Sequence, residues 1–217
     1  VGGVAVMCRL STPYRATNDL AVVDRMLGST PQLEILRAAE GATPVEPAAV
    51  LLPTPFGDVK IDVLEVRQVE LDEPSDDPGD RLHASAHAWA HDTATDVKID
   101  VVRLDGDPVV VTTKVAEPGP LVATKIQAVM NRSADKQGTD LLDIVRLTLD
   151  PETRPVALRQ IGAADDAIAR DIAIHVDLWF VRRKDQALRW IGGTGDHSFT
   201  MDDLDLVAEL LLPACER

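Results

Sequence analysis

The chain has 217 residues, 45% of them apolar and 27% charged, which is the balance of a soluble globular protein with room for one large domain or two small ones. Its formal net charge of −14 argues against a protein that coats nucleic acid non-specifically, since phosphate binding draws on surplus Lys and Arg, but a local basic groove remains compatible with it. No apolar run is long enough to span a bilayer and no signal peptide is visible.

The two cysteines, Cys8 and Cys215, lie near opposite ends and lack metal-ligand spacing. Reduced thiols and a cytoplasmic location are the simplest account, with a disulfide between the ends as the alternative. The chain opens on Val1 rather than Met, so either the start codon is unusual or a segment precedes it. Gly2-Gly3 ahead of residues 4–10 reads as a tight turn into a helix, a geometry that lets a phosphate approach backbone N–H groups. A glycine pair by itself is more often an ordinary turn. Residues 19–24 (DLAVVD) read as a short strand, on which residues two apart face the same way. A D-x-D pair would aim both carboxylates at one metal, but here Asp19 is followed two positions on by Ala21, and Asp24 points to the other face.

Thr30-Pro31 predicts a helix running to about Gly41, with Thr30 as N-cap. Residues 58–69 read as a strand in which Asp62 sits among β-formers, and an acid there needs a metal, Lys or Arg as partner. Residues 70–80 are a Pro- and Asp-rich loop. Residues 80–92 read as an Ala-rich helix with His83, His87 and His91 on one face. A zinc site is the tempting reading, but His91 lies about 12 Å from His83 along a helix axis, so a solvated or pH-sensitive stripe is the plainer one. Residues 96–104 and 108–115 flank Asp105-Gly106-Asp107 and read as a hairpin, placing Asp100 in competition with Asp62 for any site role.

Residues 121–147 read as two helices joined by a short polar loop. Pro120 marks the opening turn of the first, and Leu121, Val122, Ile126, Val129 and Met130 form one apolar side. Lys125 interrupts that side; its stem should run along apolar surface before its charge escapes. Thr139 reads as N-cap of the second helix, with Asp140 in the first turn and Asp143 one turn on, near the positive end of the dipole. Lys125 and Asp140 look like a positioned charge pair; the alternative is a snorkelling lysine with ordinary first-turn acids. Further helices follow, over 165–181, around 187–191, and after a Thr200–Asp203 capping box. Arg132 and Lys136 flank the helix pair, and Arg182, Arg183, Lys184 and Arg189 cluster later, as a basic groove or a solvated basic face. Residues 1–115 thus mix strands and helices while 116–217 are nearly all helix. The predicted class is α+β, a small mixed-sheet half and a helical half that brings Lys125 and Asp140 over it.

The order of these features, a glycine pair, an R-x-T-x-D strand (Arg15, Thr17, Asp19), a later acidic strand, then K-I-x-A and a following acid, resembles the nucleotidyltransferase toxins of the AbiEii/MenT kind, within the polymerase-β-like superfamily. The resemblance covers most of residues 2–147. It implies a nucleotidyltransferase-like α+β domain over 1–115 and a helical domain over 116–217 that completes the active site. It further implies that Gly2, Gly3 and Arg15 cradle the phosphates of an NTP, that Asp19 and Asp62 bind Mg²⁺, that Lys125 contacts the nucleotide, and that Asp140 is the later catalytic acid. The family's order of elements favours Asp62 over Asp100. The implied activity is transfer of a nucleotide to an RNA acceptor, the tRNA 3′ end, blocking translation, with a cognate antitoxin as protein partner and no membrane. Ala21 departs from the family's D-x-D. That opens the alternatives of a degenerate nucleotide- or antitoxin-binding protein without turnover, or of a transferase acting on a protein or small molecule.

Overall fold

The computed structural model describes residues 1–17, 19–101, 106, 108–132 and 134–216, with 134 and 135 by backbone alone. Its N-terminal half carries the strands and its C-terminal half is helical, so the class is α+β. Helix α1 (Gly2–Arg9) leads to β1 (Asp19–Asp24), a short α2 (Gln32–Arg37), β2 (Thr43–Glu46), β3 (Ala49–Thr54) and β4 (Gly57–Glu65). After α3 (Gln68–Asp72) and α4 (Pro78–Asp92) comes a hairpin of β5 (Thr95–Val101) and β6 (Val109–Val115). Then follow α5 (Pro118–Asn131), α6 (Ala134–Leu149), α7 (Arg154–Gly162) and α8 (Asp166–Val176). A π-helical turn over Asp177–Arg182, α9 (Lys184–Gly192) and α10 (Met201–Cys215) complete the chain.

The four-stranded sheet has the order β1-β4-β3-β2, with β1 parallel to β4 and the other pairs antiparallel. The register sets Asp19 beside Lys60 and Ala21 beside Asp62. Paired residues of a sheet share a face, so Asp19, Ala21 and Asp62 all point the same way. Strands β2 and β3 are missing from the sequence reading, because Pro44 and Pro53 sit inside them and turn residues surround them. Pro44 is tolerated because β2 is an edge strand. The strand expected over 58–69 stops at Glu65, and the Glu70 carboxylate then accepts from the Arg67 N–H at 2.8 Å to open α3. Helix α2 is shorter than the expected run to Gly41, and Thr30 does not cap it. Asp24 accepts from the Gln32 N–H at 2.8 Å instead. The arms of the β5–β6 hairpin pair from Thr95–Val115 to Val101–Val109 as expected, while Asp105 and Asp107 lie outside the described residues.

Helix α5 is not one-sided. It starts at Pro118, and Pro118 through Gln127 are all buried, Lys125 included. A helix enclosed on every side leaves no route by which a lysine could snorkel. Helix α6 begins at Ala134 rather than at Thr139, which puts Asp140 in its second turn. Gly138, expected in the joining loop, is inside this helix; a Cβ there would lie 2.2 Å from the Trp190 carbonyl oxygen, so only glycine lets the α9 backbone approach so closely. Apolar side chains of α1 (Val6) and α4 (Leu82, Ala86) join those of α5, α6, α8 and α10 in one core cluster that crosses the change of composition near residue 115. Among the described residues no helix is long and apolar enough to cross a membrane. Cys8 and Cys215 are both unpaired.

The histidine stripe of α4 is only partly solvated. His87 is 5% exposed, its Nδ1 lies 2.7 Å from the His83 carbonyl oxygen, and the two rings are 4.6 Å apart. Burial, aided by neighbouring His83, pushes the His87 pKa from its ordinary 6.5 down to about 4. The unfolded chain therefore takes up a proton at this residue before the folded one does. Its contribution to stability is complete above pH 6.5 and is lost progressively as the pH falls toward 4. Denaturant melts across this window should show that loss, and His87→Gln should flatten it.

Candidate active site

The sheet face carrying Asp19 and Asp62, the start of α1, and the facing ends of α5 and α6 enclose a cleft of about 190 Å³. Gly2, Gly3, Arg15, Asp19, Asp62, Lys125 and Asp140 all line it, with Thr17, Ala21, Arg132, Lys136 and Thr139 between them. Every residue singled out for the site thus reaches one place. Asp100 does not. It sits on β5, 3.7 Å from Lys98, along a separate groove of α1 and the hairpin. Asp24 is committed to local backbone, accepting from the N–H groups of Met26 at 2.9 Å and Gln32 at 2.8 Å.

Close approach explains the glycine pair. Gly2 has φ +78°, and a Cβ on it would stand 2.9 Å from the Ala21 Cβ, so the chain start rests directly on β1. A Cβ on Gly3 would lie 2.7 Å from Arg15 Nη2, so the guanidinium packs against the helix start. The small side chain at 21 and the glycine at 2 are therefore one fitted contact.

The helical wall is built around Lys125, whose Nζ lies 2.7 Å from Asp140 Oδ1 and 2.7 Å from Asp143 Oδ2. The charge pair read between Lys125 and Asp140 is present, but the charge does not escape to solvent, because the lysine is 4% exposed and the two acids 1% and 0%. Asp143 also receives Arg15 Nη2 at 2.9 Å and the Tyr14 hydroxyl. Arg15 Nε donates to the Tyr14 oxygen at 3.2 Å. Burial, reinforced by Asp143, drives the Tyr14 hydroxyl pKa well above its ordinary value and keeps it a donor. The sequence reading missed Asp143 and Tyr14 as partners. Asp143 carried a usable signal, an acid inside the apolar row Leu141, Leu142, Ile144, Val145. Asp140 Oδ2 is buried without a hydrogen-bond partner among the described residues, although Arg132 Nε stands 3.4 Å away.

On the sheet wall, the Thr17 hydroxyl donates to Asp19 Oδ1 at 2.5 Å. That bond foremost, and then the charges of Lys136 and Arg132, hold the Asp19 carboxyl below the usual carboxylate range. Asp62 pairs with Lys60 at 3.2 Å. Among the described residues no group of three or more His, Cys, Asp or Glu is arranged for a metal. Mg²⁺, however, is commonly held through one or two carboxylates plus substrate phosphates. Asp19 and Asp62, hard oxygen donors on adjacent strands of one face, meet that count, and Ala21 supplies no third. The later basic cluster is half neutralised, Arg182 by Asp177 at 2.5 Å and Lys184 by Asp205.

No protein-family model, curated protein or solved structure matches this chain. The reading of the cleft therefore stands on its residues.

Proposed function

We propose that this protein is a nucleotidyltransferase that moves a nucleotide from an NTP to an RNA acceptor with release of pyrophosphate. What supports the reading is the convergence of five separated stretches, at Gly2-Gly3, Arg15–Asp19, Asp62, Lys125 and Asp140, on a single cleft. The resemblance implies the 3′ end of tRNA as acceptor, blocked translation as the outcome, and a toxin working in the cytoplasm with a cognate antitoxin.

In this scheme an acceptor hydroxyl attacks the α-phosphorus, and the bond from that phosphorus to the pyrophosphate oxygen breaks. Asp140 lines the cleft with Oδ1 fixed on Lys125; its buried Oδ2, without a hydrogen bond among the described residues, would accept from the attacking hydroxyl once Arg132, 3.4 Å away, swings aside. Asp19 and Asp62 would hold Mg²⁺, which when bound neutralises charge on the phosphate oxygens. Thr17 keeps Asp19 ionised and oriented for that duty. Chemistry of this kind needs positioning and charge more than covalent help, so two acids are enough to begin from.

Two departures are favoured by particular observations. Ala21 in place of an acid favours a binder of nucleotide or antitoxin without turnover. The ion pairs within the 182–189 cluster favour a protein or small-molecule acceptor over RNA.

Incubation with each labelled NTP, Mg²⁺ and total RNA tests the proposal. Label should enter an RNA band, and Asp19→Asn should reduce the transfer at least about 10²-fold. A wild-type protein that labels no RNA from any NTP rejects RNA transfer; label on protein or a small molecule would move the acceptor there.

A further inference from the structure

We infer that the phosphates entering this cleft are held by Arg132 and Lys136, and that Lys125 is a positioning residue that does not touch them. The identity of the ligand as a nucleoside triphosphate rests on the nucleotidyl-transfer reading; the location of its phosphates rests on the charges of the cleft. Four cations line it, Arg15, Lys125, Arg132 and Lys136. Lys125 is spent on Asp140 and Asp143, each at 2.7 Å, and is sealed from solvent. Arg15 is committed to Asp143 at 2.9 Å and to Tyr14 at 3.2 Å. Two buried carboxylates thus balance two cations, and that wall is neutral. Drawing Lys125 toward a phosphate would strip two buried acids of their partner, which costs several kcal/mol.

The remaining two cations are differently placed. Among the described residues Arg132 pairs with one acid, Asp140, through Nε at 3.4 Å, and its side chain is 41% exposed, so that its terminal N–H groups, unpaired among those residues, suit a planar, two-point grip on phosphate. Lys136 is exposed and makes no ion pair among the described residues. One helical turn before Asp140 on α6, it shares the cleft-facing side with Thr139 and Asp140. Both cations line the same cleft as Asp19 and Asp62, which stand on the sheet wall facing α5 and α6. Were a divalent ion to balance Asp19 and Asp62, Arg132 and Lys136 would be, among the described residues lining the cleft, the cations not closely paired with an acid, and a polyphosphate is the anion that fits them.

The test is calorimetric titration of inorganic tripolyphosphate and of an NTP, each with Mg²⁺, into the wild type, Arg132→Gln and Lys136→Gln. Each variant should weaken both ligands roughly 10- to 100-fold while melting as the wild type does. The salt dependence of binding should fall with each lost cation. Variants that bind like the wild type, or a wild type that binds no tripolyphosphate, would overturn the assignment. Tripolyphosphate binding that depends on both residues in a protein that transfers no label keeps the anion site and sinks the transferase. Label transfer that survives Arg132→Gln and Lys136→Gln at unchanged NTP affinity does the reverse.

Discussion

Replacing Lys125 with methionine is expected to destabilise the protein by about 3–5 kcal/mol. In a chain of this size that is a fall in melting temperature of roughly 6–20 °C. Methionine matches the buried stem, so packing is nearly preserved and the loss isolates the ammonium. That group sits 2.7 Å from both Asp140 and Asp143, which are 1% and 0% exposed. Without it, two buried carboxylates are left close together, with Arg15 and Tyr14 on one and, among the described residues, Arg132 at 3.4 Å on the other. Adding Asp140→Asn should return much of the stability, because Asp143 keeps Arg15. Thermal melts of the single and double variants check this. A Lys125→Met protein that melts with the wild type would mean that the lysine is solvated after all, as its place beside an apolar row first suggests.

Ala21→Asp is the second change with a large expected effect. Position 21 is beside Asp62 in register and shares the face of Asp19. An acid there makes three carboxylates on one wall, the number that lets a bridging oxygen serve two ions. With Mg²⁺ present, half-maximal activation should need roughly tenfold less metal, with no change of acceptor. With a chelator, strands about 5 Å apart hold like charges side by side. At a surface-like dielectric that repulsion costs about 1–3 kcal/mol. The variant should therefore melt lower than the wild type in chelator and recover in Mg²⁺. The fitted contact between Ala21 and Gly2 bears on the outcome, since the larger side chain must turn away from the helix start. Melting curves indifferent to both substitution and metal would remove the metal role from this wall.

How much of this was legible depended on whether the cause was local. The β1 alternation that left Asp19 and Ala21 on one face and the Thr200–Asp203 cap are settled within a few residues, and each is present. The Lys125–Asp140 pair was readable because a charge in an apolar row demands a partner. The start of α6 was not, because its first turn offers no apolar residue larger than Ala134 and Gly138 reads as a loop. What admits a glycine there is the backbone of α9, far along the chain. Strands β2 and β3, laden with proline, exist through their neighbours in the sheet. Tyr14 and Asp143, separated by 129 positions, had no local trace of their bond.

Those separations have a consequence for when the cleft comes into being. Arg9 grips the carbonyl of Ala116 across 107 positions, Arg15 meets Asp143 across 128, and Ser11 meets Asp150 across 139. Helix α1 and the segment after it can rest on β1 early but lack these distant partners until α5 and α6 have been synthesised. At about 5–20 residues per second, the nascent chain spends several seconds with its glycine turn and Asp19 already outside the ribosome and the facing wall not yet translated. Closing such long loops is slow, and the walls meet only once α6 has docked. A partial translation product ending before Lys125 carries the sheet wall of the cleft and none of its lysine–aspartate wall.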